Sequence, residues 1–477
     1  MAIIRTLLIG GALLWLTSAA TASTKSASTK PDTLSVDEIF SAEYQTQKVL
    51  DIEAALASAQ AEEGMIPRWA AKELREKAHV RYVSQQDLAQ EYDKVRHRMV
   101  ALLNVWQRAL DPRAAEYMHY GATTVDIYDT ALVLQLSAAT RTLIAQMREL
   151  ETIMMRLAEE QKSTVMVGRT LGQHALPITF GKKVSGWLGE NRRNIERLKQ
   201  VYARLQHSGI LKGAVGSYVG LGEQGMAVEK NFARQLGLQA PYPDDWHGAR
   251  DVIAEYAYIL AAISKSYGRI GNELFLLQMS DIGETEEQRV STAVGSSTMP
   301  HKKNPSKSEA LVFHARRIPR TAEVITDDMV NVFERDNTSH TNRLLAEISL
   351  DFSDMLETAR KLLSNLKVNP SAMAENLNKT NGMIMSQRVT FALAEKLGKT
   401  TANTRLHELA LEATETGIGL RAAIEQSEDL GNLFTANELD RLFDPSTYTG
   451  LAEQQVTAVI AYCETARAAD IRQGFTR

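Results

Sequence analysis

The 477-residue sequence has almost no cysteine and no excess of charge of either sign. Its single cysteine, Cys463, excludes an internal disulfide, so packing or oligomerisation has to stabilise the fold. The 54 basic and 58 acidic residues leave a net charge of -4, with no stripe of one sign for nucleic acid or a membrane surface. The length allows two or three domains around a large core.

Glycine and proline are missing from two long stretches, between Gly121 and Gly168 and between Pro319 and Pro370. Apolar residues recur there in alternating steps of three and four, which is typical of a helix seam. We expect one long helix in each stretch, longer than about 50 Å at about 1.5 Å per residue. The seam residues are Leu136, Ala139, Leu143, Met147, Leu150, Met154 and Leu157 in the first, and Leu345, Ile348, Phe352, Met355, Ala359 and Leu362 in the second.

Strand signals are scarce, so the sequence predicts an all-α fold with three helical domains. We place an N-terminal domain at residues 34–122, a central long-helix bundle at 123–368 and a C-terminal domain at 369–477. Such helices are too long to be covered by one small core, which indicates that bundles from several subunits pack together.

The N-terminus predicts export. Arg5 is followed by the apolar run TLLIGGALLWLTSAATA, which ends in an A-x-A site at Ala20 to Ala22. We expect a signal peptide at residues 1–22, cleavage after Ala22, a flexible mature terminus at 23–33, and a periplasmic or secreted protein without a membrane anchor. An uncleaved anchor is the alternative, but the run is shorter than the roughly 20 residues of a spanning helix.

Two polar islands interrupt the helical pattern. In HYGATTVDIYDT (119–130), Thr123, Thr124 and Asp126 are placed to cap the first long helix. In GRTLGQHALP (168–177), we expect polar residues at the junction of two helices; they are Thr170, Gln173 and His174.

A third island, AVGSSTMPHKKNPSKSE, spans residues 293–309. It combines backbone freedom at a glycine, two hydroxyls, a cation and an amide, supplied by Gly295, Ser296, Ser297, Lys302 and Asn304. A helix that starts near Pro305 would direct its positive end toward the same place. This density of donors suits a dianionic small molecule, whereas a basic surface loop would not explain the two prolines.

The segment GSSTMPHKKNPSKSE resembles the signature loop of the fumarase/aspartase superfamily, GSSxMPxKxNxxxxE, and matches it at every fixed position through Glu309. Other segments, such as HYGATTVDIYDTAL and LFDPSTYTGLA, are similar to the branch that contains adenylosuccinate lyase and 3-carboxy-cis,cis-muconate cycloisomerase. The resemblance implies a homotetramer with a twenty-helix core, active sites shared by three subunits, a polycarboxylate substrate, and neither a cofactor nor a metal.

The resemblance also implies roles for individual residues. Ser296 would be the general base, with Gly295 giving its loop mobility, and Glu309 would belong to a proton relay. A serine is weakly acidic, so its surroundings would have to activate it. The residues expected to bind substrate are Thr123, Thr124, Thr170, Gln173, Ser297, Lys302, Asn304, Arg250 in WHGARD and Arg335 in ERDNTSH.

The sequence departs from the family pattern at Leu171. The family usually has a histidine at this position, which pairs with the glutamate matched by Glu309, and leucine carries no proton. Three histidines are therefore candidate acids, in the order His119, His174 and His97. The Arg-Tyr-Ser run of nucleotide-binding adenylosuccinate lyases is missing.

The leading hypothesis is a cofactor-independent lyase that cleaves a C–N or C–O bond of a succinyl-type polycarboxylate by anti-elimination and releases fumarate. A cycloisomerase of the carboxymuconate type is the alternative, because those enzymes also tend to lack the histidine. A third hypothesis is an inactive binding or structural homologue, which Leu171 favours and the intact loop disfavours.

Overall fold

The computed structural model describes residues 34–288, 298–335 and 341–475. The expected signal peptide and flexible terminus lie outside these ranges, as do Gly295, Ser296 and Ser297. Within the described residues the protein is all-α, as predicted, and its strands form only two short antiparallel pairs. No helix in these ranges is long and apolar enough to cross a membrane.

Six helices precede the first long helix. They are α1 Val36–Ile39, α2 Ala42–Glu62, α3 Arg68–Lys77, α4 Gln85–Val95, α5 Arg98–Trp106 and α6 Pro112–Ala115. Serines begin several of them: the Ser41 and Ser84 hydroxyls accept backbone N–H groups in the first turns of α2 and α4. Their core centres on the buried face of α2 and includes Leu50, Leu56 and Trp106.

The central region contains six helices and both strand pairs. In chain order these are α7 Thr124–Glu160, β1 Val165–Thr170, β2 Gln173–Thr179, α8 Phe180–Leu205, α9 Gly225–Gln235, α10 Asp251–Leu277, β3 Thr285–Glu287, α11 Ser306–Thr326, α12 Asn342–Ser364 and β4 Leu366–Val368. β1 pairs with β2, and β3 pairs with β4. Helices α7, α8, α10, α11 and α12 pack side by side into one bundle.

The predicted seam of α7 is confirmed. This helix has 37 residues and is therefore about 55 Å long. Every seam residue from Leu136 to Leu157 is buried, against α8 on one side and α12 on the other. The seam of α12, from Leu345 to Leu362, is buried as well.

One helix was predicted wrongly between Pro319 and Pro370. Pro319 lies inside α11, which ends at Thr326, and α12 begins only at Asn342. A proline in a helix leaves the carbonyl four residues earlier without its N–H donor. Here that carbonyl belongs to Ala315, and it accepts a hydrogen bond from Lys265 Nζ of α10 at 2.6 Å. A neighbouring helix thus satisfies the carbonyl that Pro319 leaves without a donor.

The predicted helix junction at residues 168–177 is also wrong, because a β-hairpin occupies it. Thr170 pairs with Gln173, so the loop consists of Leu171 and Gly172 alone. Both have positive φ, 52° and 78°, as the tight hairpin turns that match strand twist require. The turn projects outward, and the Leu171 side chain at its tip is fully exposed.

The C-terminal helices are α13 Pro370–Asn378, α14 Ser386–Leu397, α15 Lys399–Thr416, α16 Leu420–Gln426, α17 Ala436–Leu442 and α18 Ala452–Arg472. Helices α14 to α17 share a small core of their own, whereas α18 returns to the central bundle. Its Asp470 pairs with fully buried Arg192 of α8 at 2.6 Å, and Arg192 also contacts Glu151 of α7 at 2.8 Å. The domain boundary at residue 369 stays a prediction.

Candidate active site

The turn that precedes α7 carries His119 in an unusual backbone conformation. Its φ is 53°, in the left-handed region. This places both its backbone N–H and its ring against one carboxylate of α2: the N–H donates to Glu53 Oε2 at 3.1 Å, and Nδ1 lies 2.8 Å from Glu53 Oε1. The side chain of Glu53 is 1% exposed and that of His119 is 18% exposed, so the pair is almost closed to solvent.

Burial alone would lower the pKa of His119. The hydrogen bond and charge of Glu53, with a further contribution from Asp126, outweigh burial and hold the pKa of His119 above its ordinary value. The histidine therefore gains a proton more readily than a solvated one, as a general acid at neutral pH must.

The predicted cap of α7 is present. Thr123 is the N-cap residue, Thr124 is the first helical residue, and the Thr123 N–H donates to Asp126 Oδ2 at 2.9 Å. Asp126 is fully buried and also accepts the backbone N–H groups of Lys212 and Gly213, at 2.9 Å and 3.1 Å. One carboxylate thus joins the first turn of α7 to the loop after α8.

A buried histidine completes this arrangement. His247 Nε2 lies 3.1 Å from Asp126 Oδ1, and its Nδ1 lies 2.8 Å from Asp129 Oδ2. Burial opposes its protonation, but the two carboxylates prevail and raise the pKa of His247 to about 9. Arg250 is 3% exposed and donates to Asp129 at 2.9 Å and to Asn342 at 2.8 Å. Its guanidinium is engaged within the protein, and its expected role in substrate binding stays a prediction.

The β1–β2 hairpin has a different charge environment. Arg169 makes two bonds to fully buried Glu284, at 2.9 Å and 2.7 Å, and Asn376 Nδ2 donates to the same carboxylate at 2.7 Å. His174 is paired with Arg169 across the hairpin. Burial and the Arg169 charge lower the pKa of His174, with Glu284 opposing them. Thr170 and Gln173 flank the exposed Leu171 at the tip.

The described part of the third island lines a cleft of about 670 Å³ at the N-terminus of α11. Lys302 and Asn304 form part of its wall, and α11 begins at Ser306, as the sequence predicted. Buried Glu287 of β3 accepts the N–H groups of Lys307 and Ser308, at 3.0 Å and 2.8 Å, which anchors the helix start. Other lining residues are Asp281, Glu286, His301, Lys303, Lys367 and Asn369.

Three further predicted residues lie elsewhere. His97 caps α5, where its Nδ1 accepts the Val100 N–H at 3.3 Å. Glu309 is exposed in the first turn of α11. Arg335, at the end of its described segment, has a buried Nη1 without a hydrogen-bond partner among the described residues.

The structure thus groups the predicted residues in two places. His119, Thr123 and Thr124 lie at the turn before α7, and Lys302 and Asn304 lie at the cleft beside the Glu284–Glu287 segment that also anchors the hairpin. No hydrogen bond or ion pair between described residues joins the two places. The described ranges also contain no cluster of histidine, cysteine and acidic side chains suited to a metal.

Sequence reasoning missed Glu53 and His247. Glu53 stands within the alanine-rich stretch EAALASAQA, and its only signal was an acidic residue on an otherwise apolar helix face. His247 belongs to WHGARD, a motif from which only Arg250 was selected.

Comparison with known proteins identifies relatives along most of the chain. A family model described as "Lyase" matches residues 29–319, and one described as "Adenylosuccinate lyase C-terminus" matches residues 382–459. An N-acetyl-S-(2-succino)cysteine lyase of Dickeya dadantii is 35% identical over 428 residues, which cover 89% of this chain and 94% of the relative. An adenylosuccinate lyase of Methanocaldococcus jannaschii is 36% identical over 427 residues, which cover 89% and 92%.

A solved structure has the same fold. The 3-carboxy-cis,cis-muconate lactonizing enzyme from Pseudomonas putida superposes with a TM-score of 0.82 at 31% identity, over 90% of this chain and 97% of that enzyme.

Proposed function

Because the chain belongs to the fumarase/aspartase superfamily of lyases, we propose that it eliminates a heteroatom group from a succinyl-type polycarboxylate and releases fumarate. The observation that carries this proposal is the cleft at the start of α11, where Lys302 and Asn304 of the complete superfamily motif lie beside the N-terminal end of a helix. A cation, an amide and the positive end of a helix dipole are groups that suit a dianionic substrate.

In the proposed reaction Ser296 acts as the base. Its oxygen, as an alkoxide, takes the proton from the carbon beside a carboxylate. The electron pair left on that carbon forms the C=C bond as the bond from the neighbouring carbon to the heteroatom breaks. The heteroatom leaves with its electron pair and takes a proton from an acid. Lys302 and Asn304 would stabilise the charge that builds up on the substrate carboxylate.

We assign the acid to His119 rather than to His174. A proton donor at neutral pH has to be protonated before it can act. The carboxylate next to His119 raises its pKa, whereas burial and a guanidinium lower that of His174. His97 is engaged in capping α5.

The leaving atom is a nitrogen, oxygen or sulfur attached to the succinyl group. The names of two relatives supply a nitrogen and a sulfur example, adenylosuccinate and N-acetyl-S-(2-succino)cysteine. Because the sequence lacks the Arg-Tyr-Ser run expected of nucleotide-binding members, we propose a small succinyl amine or thioether in preference to a nucleotide.

We further propose a homotetramer in which neighbouring copies complete each site. Two observations support it: the turn and the cleft carry different parts of the site, with no hydrogen bond or ion pair between described residues joining them, and central helices expose large apolar side chains, including Tyr258 of α10 and Phe313 of α11. Exposed apolar surface of this kind marks association surfaces. Sedimentation of the purified protein should give the mass of four chains.

The proposed function can be tested with two neighbouring serines. Fumarate release is measured on a panel of succinyl amines, succinyl thioethers and adenylosuccinate, with Ser296→Ala and Ser297→Ala as a matched pair. Ser296→Ala should lose turnover by about 10²-fold to 10⁴-fold, the usual contribution of a general base. Ser297→Ala should mainly raise KM. Full turnover by Ser296→Ala would refute the assignment of the base.

A cycloisomerase that closes or opens a lactone on a carboxylated muconate is the second candidate. The similarity to the Pseudomonas putida lactonizing enzyme favours it, as does leucine at position 171. It would use the same base and would release no fumarate.

We also propose that the protein is exported. The support is the Arg5 and apolar segment with its A-x-A site, together with a family match that begins only at residue 29. Fractionation should find a mature chain that starts at Ser23 outside the cytoplasm, and an intact Met1 on a cytosolic protein would contradict export.

A further inference from the structure

Helix α2 holds the turn that carries His119 at two points. Glu53 and Gln60 are seven residues apart and therefore lie on the same helix face. Gln60 Nε2 donates to the carbonyl of Tyr120 at 2.5 Å. Glu53 accepts the backbone N–H of His119 and contacts its ring nitrogen Nδ1. Both side chains are buried, so the position of the turn against α2 is set by hydrogen bonds shielded from water.

The backbone of His119 is strained to make the second contact. A left-handed conformation is unfavourable for a residue with a Cβ. In exchange, the backbone N–H and the ring nitrogen Nδ1 meet the two oxygens of one carboxylate. In this conformation Nδ1 is the ring nitrogen that faces Glu53.

The buried carboxylate of Glu53 has its ionic partner in the same contact. Among the described residues, His119 is the one ionisable side chain bonded to it. An ionised carboxylate buried without a cation is costly, so the pair favours the imidazolium form of His119. The other charge whose field reaches the ring is that of Asp126 from α7, which has the same sign as Glu53.

We propose that Glu53 is the positioning residue for the proton donor: it binds Nδ1 of His119 and keeps the imidazolium oriented so that Nε2 carries the proton given to the leaving heteroatom. The inference rests on the proposed lyase function. It replaces the pairing that Leu171 cannot make with Glu309, and it places the relay carboxylate on α2.

The proton balance of the step is simple. Nε2 gives its proton to the heteroatom as the bond from the heteroatom to carbon breaks. His119 becomes a neutral imidazole that keeps the proton on Nδ1, hydrogen-bonded to Glu53. The carboxylate stays ionised throughout, because it stabilises the cation without taking its proton. Water or the departing product returns a proton to Nε2 before the next turnover.

The test compares Glu53→Gln with Glu53→Asp and with Gln60→Met in the full-length protein. Two quantities are measured: the titration of His119 by NMR without substrate, and kcat and KM for fumarate release against pH. Gln60→Met removes the neighbouring hydrogen bond to the same turn and leaves the charge in place, so it reports on loosening of the turn alone.

Glu53→Gln should lower the pKa of His119 and reduce kcat on the order of 10²-fold with little change in KM. The limb of the rate profile that reports the acid should move to lower pH. Glu53→Asp, which keeps the charge, should recover part of the rate and part of the pKa. Gln60→Met should leave the His119 titration unchanged. The double variant with Glu53→Gln and His119→Gln should be no slower than His119→Gln alone, since both changes remove the same function.

An unchanged His119 titration in Glu53→Gln would overturn the inference. So would a double variant whose loss of kcat is the product of the losses in Glu53→Gln and His119→Gln. If Glu53→Gln does not fold, Glu53→Asp carries the test, because its smaller pKa shift must have the same direction. If the wild-type protein releases no fumarate from any compound, the lyase function fails. The NMR titration then decides the role of Glu53 separately, with a lowered pKa supporting it and an unchanged pKa refuting it.

Discussion

His119 and His174 lie in opposite electrostatic surroundings. His119 is bound to a buried carboxylate, whose hydrogen bond and charge outweigh burial and raise its pKa. His174 pairs across a hairpin with Arg169, and burial together with the guanidinium lowers its pKa. Both histidines stand in polar segments of similar appearance in the sequence, yet at neutral pH one is favoured as a proton donor and the other as a neutral ring.

Under the proposed function, the acid lies on a different segment from the usual histidine of the family, without a change of fold. The hairpin contains the position at which the family usually has its histidine. Its tip presents Leu171 there, a side chain with no proton to donate. The turn before α7 offers a histidine and a carboxylate instead. An elimination requires a protonated donor beside the substrate, and in the proposed site the turn before α7 supplies it and the hairpin does not.

The largest expected effect comes from exchanging His119 for glutamine, with the same exchange at His174 as the comparison. His119→Gln should reduce kcat by about 10²-fold to 10⁴-fold, because a general acid contributes that much. His174→Gln should affect KM more than kcat. The measurement is steady-state fumarate release by both variants at several pH values. A large loss of kcat in His174→Gln alone would invert the comparison.

Removing the guanidinium at the hairpin should be costly to stability. Arg169→Met leaves Glu284 buried without its cation, which we expect to lower the free energy of unfolding by about 3 to 5 kcal/mol. It should also raise the pKa of His174, since Arg169 lowers it and Glu284 raises it. Denaturant unfolding and NMR titration measure the two effects. The exposed pair of Arg405 and Glu408 gives a control, and Arg405→Met should cost far less.

The free energy of unfolding should depend on pH through His247, which is bound to the first turns of α7. Its pKa is raised from 6.5 to about 9, so the stability it contributes is complete below pH 6.5 and is lost as the pH rises through 9. The loss should be on the order of 3 kcal/mol. His247→Gln should remove this dependence, whereas the exposed His407→Gln should keep it. A wild-type free energy of unfolding that is constant from pH 6.5 to 9 would refute the assigned charge state.

The smallest expected effect is a gain in stability at the hairpin tip. Leu171 has a φ of 52° and precedes Gly172 in a two-residue loop, a position for which asparagine is favoured over leucine. Leu171→Asn should therefore raise the free energy of unfolding by about 1 kcal/mol or less. Thermal unfolding of the variant measures it, and a clear loss of stability would contradict the turn geometry.

Much of the fold could be predicted from the sequence, because long-range packing and local pattern agree there. The seam from Leu136 to Leu157 determined α7, and Thr123 and Asp126 marked its start. The helix across Pro319 could not be predicted, since the donor that satisfies Ala315 comes from Lys265, far away in sequence. The hairpin was missed because its turn contains leucine where asparagine or aspartate would have signalled it.

The candidate site divides in the same way. The Lys302 and Asn304 positions followed from a contiguous motif, and the structure places them in one cleft. Glu53 is 66 residues from His119, and their contact depends on how α2 packs against the turn. No local pattern encodes such a pair, which is why the charge state of His119 required the folded structure.

The central claim is most directly tested by the mass balance of one wild-type reaction. The protein is incubated with a succinyl thioether or succinyl amine that it consumes, and all products are identified by mass spectrometry. The account predicts equal amounts of fumarate and of the thiol or amine that has lost its succinyl group. A single product with the mass of the substrate would contradict elimination and identify an isomerase.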